Sequence, residues 1–448
     1  MCHRVDAVID PGDLVPELAD LCRAHEIVGA AVGVSIGGER SVAVHGVTHV
    51  GTGVPVERAT WFQAGSVTKA MTATAVAMLV ADGSVGLDEP VISYVPEFRV
   101  HDEHATRAIT VRHLLTHTAG FDGDVWPDHG DDDGALGRLV AGIAHLPQLS
   151  PPGRAFSYSN VGYAVLGRLV ERVVAAPFAA ALRTMVADAA DARLEVDVRR
   201  LDPGTFAVGH LRGPEGWAPI EGVQGPACLA PAGSRTWATV DDLLRFGELH
   251  LGRRSPQHHE ALVAMRQPHL AVPDPNNGGT MALGVLLDDR WGSPVVLHDG
   301  GVAGQSAYLR ILPELDAVLV VMATGGVPQV FHRHVFRALA RSRFGLEAPA
   351  AVAADPSIVI DAARVAGVYD ATATRLELRA AGHGIEAEFR WRAGSDEVSS
   401  GWLPVRAAND RVLLAPFGGR DLVIVTPPAA EPCDHVLQSL RRVNRRAG

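Results

Sequence analysis

A nearly all-apolar stretch at residues 66 to 82, SVTKAMTATAVAMLVAD, sets the strongest limit on how this chain can fold. Its composition and its stop at Asp82-Gly83 predict one long helix. A helix that is apolar on all sides is normally buried in the core of a large protein. The chain must therefore build a globular core around it, which 448 residues with 47% hydrophobic content allow.

Lys69, near the start of this stretch, is the only lysine in the chain; all other members of the 40 Lys plus Arg are arginines. Ser66 and Lys69 stand at i and i+3, on one face of the helix, and Ser66 lies at the positive end of the helix dipole. A buried lysine whose pKa is lowered can activate a serine nucleophile, whereas an arginine stays protonated. We interpret Ser66 as a nucleophile and Lys69 as its base. The alternative is that Ser66 only caps the helix and Lys69 is solvated.

Two further motifs carry candidate catalytic groups. The segment PGRAFSYSNVGYAVLG, residues 152 to 167, holds Tyr158 and Asn160 just before a predicted helix. A tyrosine phenol can pass a proton between nucleophile and leaving group, and an asparagine can bond a substrate carbonyl and the lysine. His298-Asp299-Gly300-Gly301 is predicted to form a tight turn between two strands. A backbone N–H beside these glycines would supply half of an oxyanion hole.

The order of periodic segments predicts an α+β protein with two folded parts. Strands are expected at 29–38, 41–47, 281–287, 294–298, 305–312 and 315–323, and helices at 13–25, 66–82, 160–174, 239–251 and 329–343. In the helix at 239–251, Thr239 and Asp242 occupy capping-box positions. An Ala- and Pro-rich linker then precedes short strands that predict a small antiparallel barrel. We expect domains at 1–345 and 361–448 with a linker at 346–360.

Composition excludes several classes of function. A net charge of −11 argues against nucleic acid as a partner. The four cysteines are scattered, which disfavours a zinc knuckle or a disulfide framework. No apolar run is long enough for a membrane span, and the N-terminus lacks the apolar core of a signal peptide, so a cytoplasmic location is expected. The basic tail RRVNRR, 441 to 446, is expected to be a solvated helix end.

Together these motifs resemble the serine β-lactamase and penicillin-binding-protein family, in particular its class C and esterase-like branch. Three more segments are similar to that family: LLTHTAG at 114–120, PGRAFSYSN at 152–160 and LAPAGSRTWATVDDLLRF at 229–246. The resemblance covers roughly residues 15 to 345 and implies a sheet flanked by helices plus a helical subdomain. The C-terminal strands, opening with VAGVYD at 365–370, resemble a lipocalin-like domain appended to some members.

The resemblance implies a role for each motif residue. Ser66 would be acylated, Lys69 and Tyr158 would relay its proton, and Asn160 would orient the substrate. The backbone N–H groups of Ser66 and Gly301 would form the oxyanion hole. His298 replaces the lysine of Lys-Thr-Gly and matches the His-x-Gly form of family esterases, peptidases and acyltransferases, which speaks against penicillin hydrolysis. The role of His298 stays open between proton relay, contact with a substrate carboxylate, and shaping of the strand.

Several substrates remain open within the acyl-serine hypothesis. A generic hydrolase or acyltransferase acting on small-molecule or peptidyl esters, thioesters or amides comes first. A penicillin-binding-protein-type thioesterase that releases or cyclises nonribosomal peptides, with a carrier protein as a candidate partner, is an alternative, as is a natural-product transacylase. A D-amino-acid peptidase or β-lactamase ranks lower. The tail arginines would meet a substrate carboxylate if the C-terminal domain forms one wall of the cleft.

Two rival interpretations come from other classes of protein. His113 and His117, at i and i+4, suit zinc, and DHGDDDG at 128–134 is acidic enough for calcium. Neither belongs to a complete metal motif, so we expect no metal and no cofactor. The histidines at 258–259 and 332/334 are expected on the surface. A non-catalytic ligand sensor on the same fold is the second rival, although such a sensor needs no titratable lysine.

Overall fold

The computed structural model describes residues 15–213, 215–220, 224–382, 384–393, 396–417, 420–438 and 440–446. The expected opening helix starts at residue 13, outside these ranges, and its described part is α1 (Val15–Ala24). The remaining N-terminal predictions, including that of a missing signal peptide, also lie outside them.

An antiparallel sheet of eight strands forms the centre of the first domain, in the order β2-β1-β12-β11-β10-β9-β8-β7. Its long central strands are buried on both faces because helices and the barrel cover them. The strands of this sheet and of two small two-stranded sheets are β1 Gly29–Ile36, β2 Glu39–Gly46, β3 Phe62–Gln63, β4 Gly209–Gly213, β5 Gly216–Ile220, β6 Trp237–Ala238, β7 Leu270–Ala271, β8 Thr280–Met281, β9 Leu286–Asp288, β10 Val295–Val302, β11 Gln305–Leu312 and β12 Ala317–Thr324.

Helices pack on both faces of this sheet. Helix α2 is buried along nearly its whole length, as its all-apolar sequence requires. Thr239 and Asp242 form the expected capping box of α9. The helices after α1 are α2 Val67–Ala81, α3 Glu103–Ala108, α4 Val111–Leu115, α5 Ala135–Gly142, α6 Asn160–Val174, α7 Phe178–Ala181, α8 Asp188–Ala190, α9 Val240–His250, α10 His259–Ala264, α11 Pro328–Leu339 and α12 Ala362–Val365.

The C-terminal strands close into an antiparallel eight-stranded barrel. Alternate residues face opposite sides of a strand. Leu413 and Ile424 therefore lie in the barrel core, while Leu414 and Val423 belong to the apolar cluster that also contains the outer face of the large sheet. The strands are β13 Gly367–Asp370, β14 Thr374–Ala381, β15 Gly384–Ala393, β16 Asp396–Ala407, β17 Val412–Phe417, β18 Arg420–Val425, β19 His435–Gln438 and β20 Arg441–Arg445.

The α+β expectation and the C-terminal barrel are confirmed, but four local predictions are wrong. His298 to Gly301 lie inside β10 rather than in a turn, because their backbone pairs with β11 as far as Val302. The single strand expected at 281–287 is two strands, β8 and β9, separated by a hairpin. The tail 441–446 is mainly strand β20 rather than a helix end. His332 is buried against Tyr308 because it lies on the inner face of α11.

Within the described ranges, no helix is long and apolar enough to cross a membrane.

Candidate active site

The tight approach of two backbone segments fixes Ser66. Gly65 adopts the left-handed conformation, with φ of 52°, and a Cβ atom on it would lie 2.8 Å from the Gly301 nitrogen. Only glycine fits this turn without strain. The turn delivers Ser66 to the N-terminus of α2, where it occupies the N-cap position and stays half-buried.

Lys69, one turn into α2, is fully buried. Its Nζ atom lies 2.7 Å from Asn160 Oδ1, 2.7 Å from the Ala232 carbonyl oxygen and 3.1 Å from Ser66 Oγ. The first two partners can only accept hydrogen bonds, whereas a serine hydroxyl can also donate. A neutral amine has two N–H groups and one lone pair. It can therefore satisfy Asn160 and Ala232 and still accept the Ser66 proton.

Electrostatics favour this neutral amine. Burial lowers the pKa of Lys69 well below its usual value, and the Arg441 charge lowers it further, against a smaller opposing effect of Asp124. Burial is the larger effect because an ammonium group loses its hydration in the protein interior. The lysine therefore has the property that a general base near neutral pH requires.

Tyr158 contacts the same serine from the other side. Its hydroxyl hydrogen-bonds to Ser66, and burial raises the pKa of this phenol, so it is neutral at ordinary pH. The Lys69 Nζ lies 4.7 Å from the centre of its ring. The backbone N–H of Tyr158 donates to the Leu440 carbonyl oxygen of the barrel, at 2.9 Å. A residue of the first domain is thus held by the second.

Asn160 links the lysine to an ion pair between the two domains. Its Nδ2 donates to Asp124 Oδ1 at 2.6 Å, and Asp124 pairs with Arg441. The amide orientation is fixed because its oxygen faces an amine and its NH₂ faces a carboxylate. The Arg441 guanidinium also lies 5.2 Å from the centre of the Tyr158 ring, within cation–π range.

Strand β10 closes the site beside Ser66. A Cβ atom on Gly300 would lie 2.2 Å from the Ala64 carbonyl oxygen and 2.9 Å from the Ser66 nitrogen, so the two backbones nearly touch. His298 is buried, and its Nδ1 lies 2.9 Å from the Asp299 carbonyl oxygen, which can only accept. Burial, with a smaller contribution from Lys69, lowers the pKa of His298 to about 4. The imidazole is therefore neutral at pH 7, with its proton on Nδ1.

The structure brings all the sequence-predicted site residues to one place: Ser66, Lys69, Tyr158, Asn160, His298, Gly300 and Gly301. The two histidines considered as metal ligands, His113 and His117, instead accept hydrogen bonds from backbone N–H groups. His113 Nδ1 accepts from the Thr110 N–H and His117 Nδ1 accepts from the Ser159 N–H. In the part of the chain that the structure describes, no group of three or more His, Cys, Asp or Glu side chains is placed to hold a metal ion.

Sequence reasoning missed Asp124, the Ala232 carbonyl and the Leu440 carbonyl. Asp124 follows the LLTHTAG segment by four residues, and Ala232 lies within LAPAG, so both stand in or near family-like segments. A backbone carbonyl carries no residue-type signal, and only the fold shows where it points.

Comparison with known proteins agrees with this architecture. The family model described as beta-lactamase matches residues 13–343. Penicillin-binding protein 4 of Amycolatopsis lactamdurans is 34% identical over 77% of this chain and 94% of its own length. Esterase EstB of Burkholderia gladioli is 33% identical over 71% of this chain and 90% of its own length.

Among solved structures, SurE aligns with a TM-score of 0.77 at 26% identity, over 97% of this chain and 99% of SurE. The alignment thus includes the barrel. Class C beta lactamase from Rhodobacter sphaeroides aligns with a TM-score of 0.57 at 23% identity, over 70% of this chain and 94% of its own, and shares the fold. From the family match and these relatives, the chain belongs to the beta-lactamase family of serine acyl-hydrolases and penicillin-binding proteins.

Proposed function

We propose that this protein is a serine hydrolase or acyltransferase that forms an acyl-Ser66 intermediate from an ester, thioester or amide. The observation that carries the proposal is the buried Lys69 amine, whose pKa is lowered and whose Nζ lies 3.1 Å from Ser66 Oγ. Ser66, Lys69 and Tyr158 then have the catalytic roles, with Asn160 and His298 at the substrate.

In the acylation step, Ser66 Oγ attacks the substrate carbonyl carbon as its proton passes to Lys69. The carbonyl oxygen becomes an oxyanion between the Ser66 and Gly301 N–H groups, beside the close backbone approach at Gly300. The bond from carbonyl carbon to the leaving group then breaks, and the proton reaches that group through the Tyr158 hydroxyl. Water, an alcohol or an amine resolves the acyl ester by the reverse proton path.

The state of His298 favours substrates other than penicillins. A neutral imidazole with its proton committed to the Asp299 carbonyl offers Nε2 as a hydrogen-bond acceptor. It does not offer a cation for the carboxylate of a penicillin. Of the three roles considered for His298, contact with a substrate carboxylate does not fit this state, while proton relay and shaping of the strand stay open. We propose in addition that Nε2 accepts from a substrate N–H or hydroxyl group.

A more specific form of this proposal is that the substrate is peptidyl. SurE aligns across both domains, and one of its crystal structures was determined with D-Leu, at 25% identity to this chain. Release or cyclisation of a nonribosomal peptide from a carrier protein is the leading alternative to simple hydrolysis, followed by transacylation.

We further propose the division into a serine domain at 1–345, a linker at 346–360 and a lipocalin-like barrel at 361–448, supported by the family match that ends at residue 343.

The barrel is proposed as one wall of the cleft. Arg441 reaches Asp124 and the Tyr158 ring. A substrate carboxylate bound by Arg441 would share this guanidinium with Asp124. We therefore propose that the tail arginines contact the substrate but do not form a carboxylate-binding pocket by themselves.

The test uses wild type and Ser66→Ala protein, each treated with a fluorophosphonate probe and analysed by intact mass. Labelling of wild type alone supports the proposal. Absence of any adduct at Ser66 in wild type contradicts it and favours the ligand-sensor alternative. A panel of D- and L-terminated peptidyl thioesters and small esters then assigns the donor, because hydrolysed and cyclised products differ in mass by one water.

A further inference from the structure

A groove of about 560 Å³ lies between the serine domain and the barrel. One wall is the loop at 125–129 together with α5, and the other is the barrel turn at Thr372 and Ala373. The lining is mostly apolar and contains Val125, Trp126, Pro127, Leu139, Ile143 and Ala373. Among the described residues that line it there is no Asp, Glu, Lys or Arg, and its ionisable side chains are the two histidines His129 and His145. A carboxylate or ammonium group that entered the groove would therefore lose hydration without a carboxylate, lysine or arginine partner.

Trp126, in the lining of this groove, is unusually exposed for a tryptophan. Its side chain is 52% exposed, and it is the one aromatic residue among the exposed large hydrophobic residues of the described chain. Isolated exposed valines or leucines need no explanation. An exposed tryptophan beside a concave apolar surface is typical of a ligand site.

The groove lies next to the hydrogen-bonded network that joins Lys69, Asn160 and Asp124. Val125, in its lining, directly follows Asp124 in the chain. Asp124 accepts a hydrogen bond from Asn160 at 2.6 Å, and Asn160 accepts one from Lys69 at 2.7 Å. The described lining thus starts one residue beyond the last member of the Lys69–Asn160–Asp124 network.

The two walls are held in place by polar contacts between the domains. The Thr372 N–H donates to the Asp122 carboxylate, and Arg441 pairs with Asp124. The groove is therefore formed before substrate binds, which reduces the entropic cost of binding.

We propose that this groove binds the apolar acyl chain or apolar side chain of the donor whose carbonyl reacts with Ser66. The inference rests on the proposed acyl-serine function and adds the class of substrate, an uncharged apolar acyl group.

The test compares acylation rates across a series of 4-nitrophenyl esters from acetate to octanoate, with full-length wild type, Trp126→Ala and Ala373→Trp. The first variant removes one wall and the second fills the groove from the other side. Trp402→Ala is the matched control, because Trp402 lies on the barrel under Arg379, with 3.6 Å between guanidinium carbon and ring centre, and does not line the groove.

Wild type and Trp402→Ala should prefer octanoate, and both groove variants should lose about tenfold in kcat/KM for octanoate while keeping the acetate rate. Parallel loss for all esters, or no loss, overturns the groove assignment and leaves the acyl-serine proposal intact.

If wild type is neither acylated by any ester of the series nor labelled at Ser66 by the fluorophosphonate, the proposed function fails. A binding measurement then tests the groove separately. Calorimetry with octanoyl-glycinamide, an uncharged and unreactive amide, should show binding to Ser66→Ala protein that is lost in the double variant with Trp126→Ala. Equal binding to both proteins, or no binding to either, overturns the groove assignment.

Discussion

The imidazole ring of His117 lies face to face with the phenol ring of Tyr158, with 4.3 Å between ring centres and 29° between planes. The carbonyl oxygen of His117 accepts from the Ser157 N–H at 2.8 Å, and its Nδ1 accepts from the Ser159 N–H at 3.0 Å. His117 thus holds the residues on both sides of Tyr158 as well as the ring itself. It does so in the left-handed conformation, with φ of 55°.

Replacing His117 should therefore reduce turnover through the position of Tyr158. His117→Asn tolerates the left-handed backbone but loses the ring stack. We expect kcat to fall by about 10²-fold with KM little changed, because a misplaced proton relay acts on chemistry rather than binding. His250→Asn is the control: His250 is equally buried but bonds to Thr74, away from the site. Equal loss of kcat in both variants would point to a general folding defect.

Lys69→Arg should abolish acylation although it retains a positive charge. Arginine stays protonated and has no lone pair for the Ser66 proton. The expected loss in kcat/KM is about 10²–10⁴-fold. Circular dichroism and the thermal midpoint show whether the fold is kept. Near-wild-type acylation by a folded Lys69→Arg protein would refute the assignment of Lys69 as base.

The pH dependence of kcat/KM should respond in opposite directions to two neighbouring charges. Arg441 lowers the pKa of Lys69 and Asp124 raises it. Arg441→Gln should shift the acid limb to higher pH, because the amine then loses its proton only at higher pH, and Asp124→Asn should shift it to lower pH. Arg442→Gln, whose side chain bonds to Asn444, should leave the limb in place. Shifts of the same sign in both test variants would exclude a Lys69 origin.

The two glycines of β10 should differ in their tolerance of a side chain. A Cβ atom on Gly300 would meet the Ala64 carbonyl oxygen at 2.2 Å, whereas one on Gly301 meets nothing within 4 Å. Gly300→Ala should lower the free energy of unfolding by about 1–3 kcal/mol, and Gly301→Ala should stay within about 0.5 kcal/mol of wild type. Urea unfolding of both variants measures the difference. Equal midpoints would mean that the backbones can separate at no cost.

Acid should destabilise the protein through buried neutral histidines. Burial lowers the pKa of His298 to about 4 and those of His250 and His332 to about 3, from an ordinary value of 6.5. Below pH 6.5 these histidines therefore bind protons in the unfolded chain but not in the folded chain. The free energy of unfolding consequently falls as the pH drops toward 4.

Each of these histidines contributes up to about 1.4 kcal/mol per pH unit in that window. His332→Phe keeps the stack on Tyr308 and removes one titrating group, so its unfolding free energy should fall less between pH 7 and 5. The same decline as in wild type would assign the acid sensitivity to other groups.

Local sequence spacing predicted the core of the candidate site. Ser66 and Lys69 share one helix face, and the helix that begins at Asn160 was predicted at its observed bounds. Arg441 and Asp124 could not be paired from sequence, because more than 300 residues separate them and only the docking of the barrel brings them together. The prediction of a solvated tail failed for that reason.

The errors at β10 and His332 also come from interpreting short segments without their neighbours in the folded protein. The glycines at 300 and 301 suggested a turn, but close approach of a second backbone to Gly300 requires glycine inside a strand as well. His332 and His334 were expected together on the surface. Two positions on a helix lie about 200° apart around its axis, so His334 is exposed while His332 faces the core.

The hydrogen bond from the Tyr158 N–H to the Leu440 carbonyl oxygen also implies an order in which the parts of the site assemble. During translation, Ser66, Lys69 and Tyr158 are synthesised long before Leu440, in the turn that precedes β20, and Arg441, the first residue of β20. The serine domain can collapse early, but the Tyr158 N–H gains its acceptor, the Leu440 carbonyl oxygen, only when the barrel has folded against it. If Tyr158 relays the proton as proposed, Ser66 is expected to reach full reactivity only when the two domains have assembled.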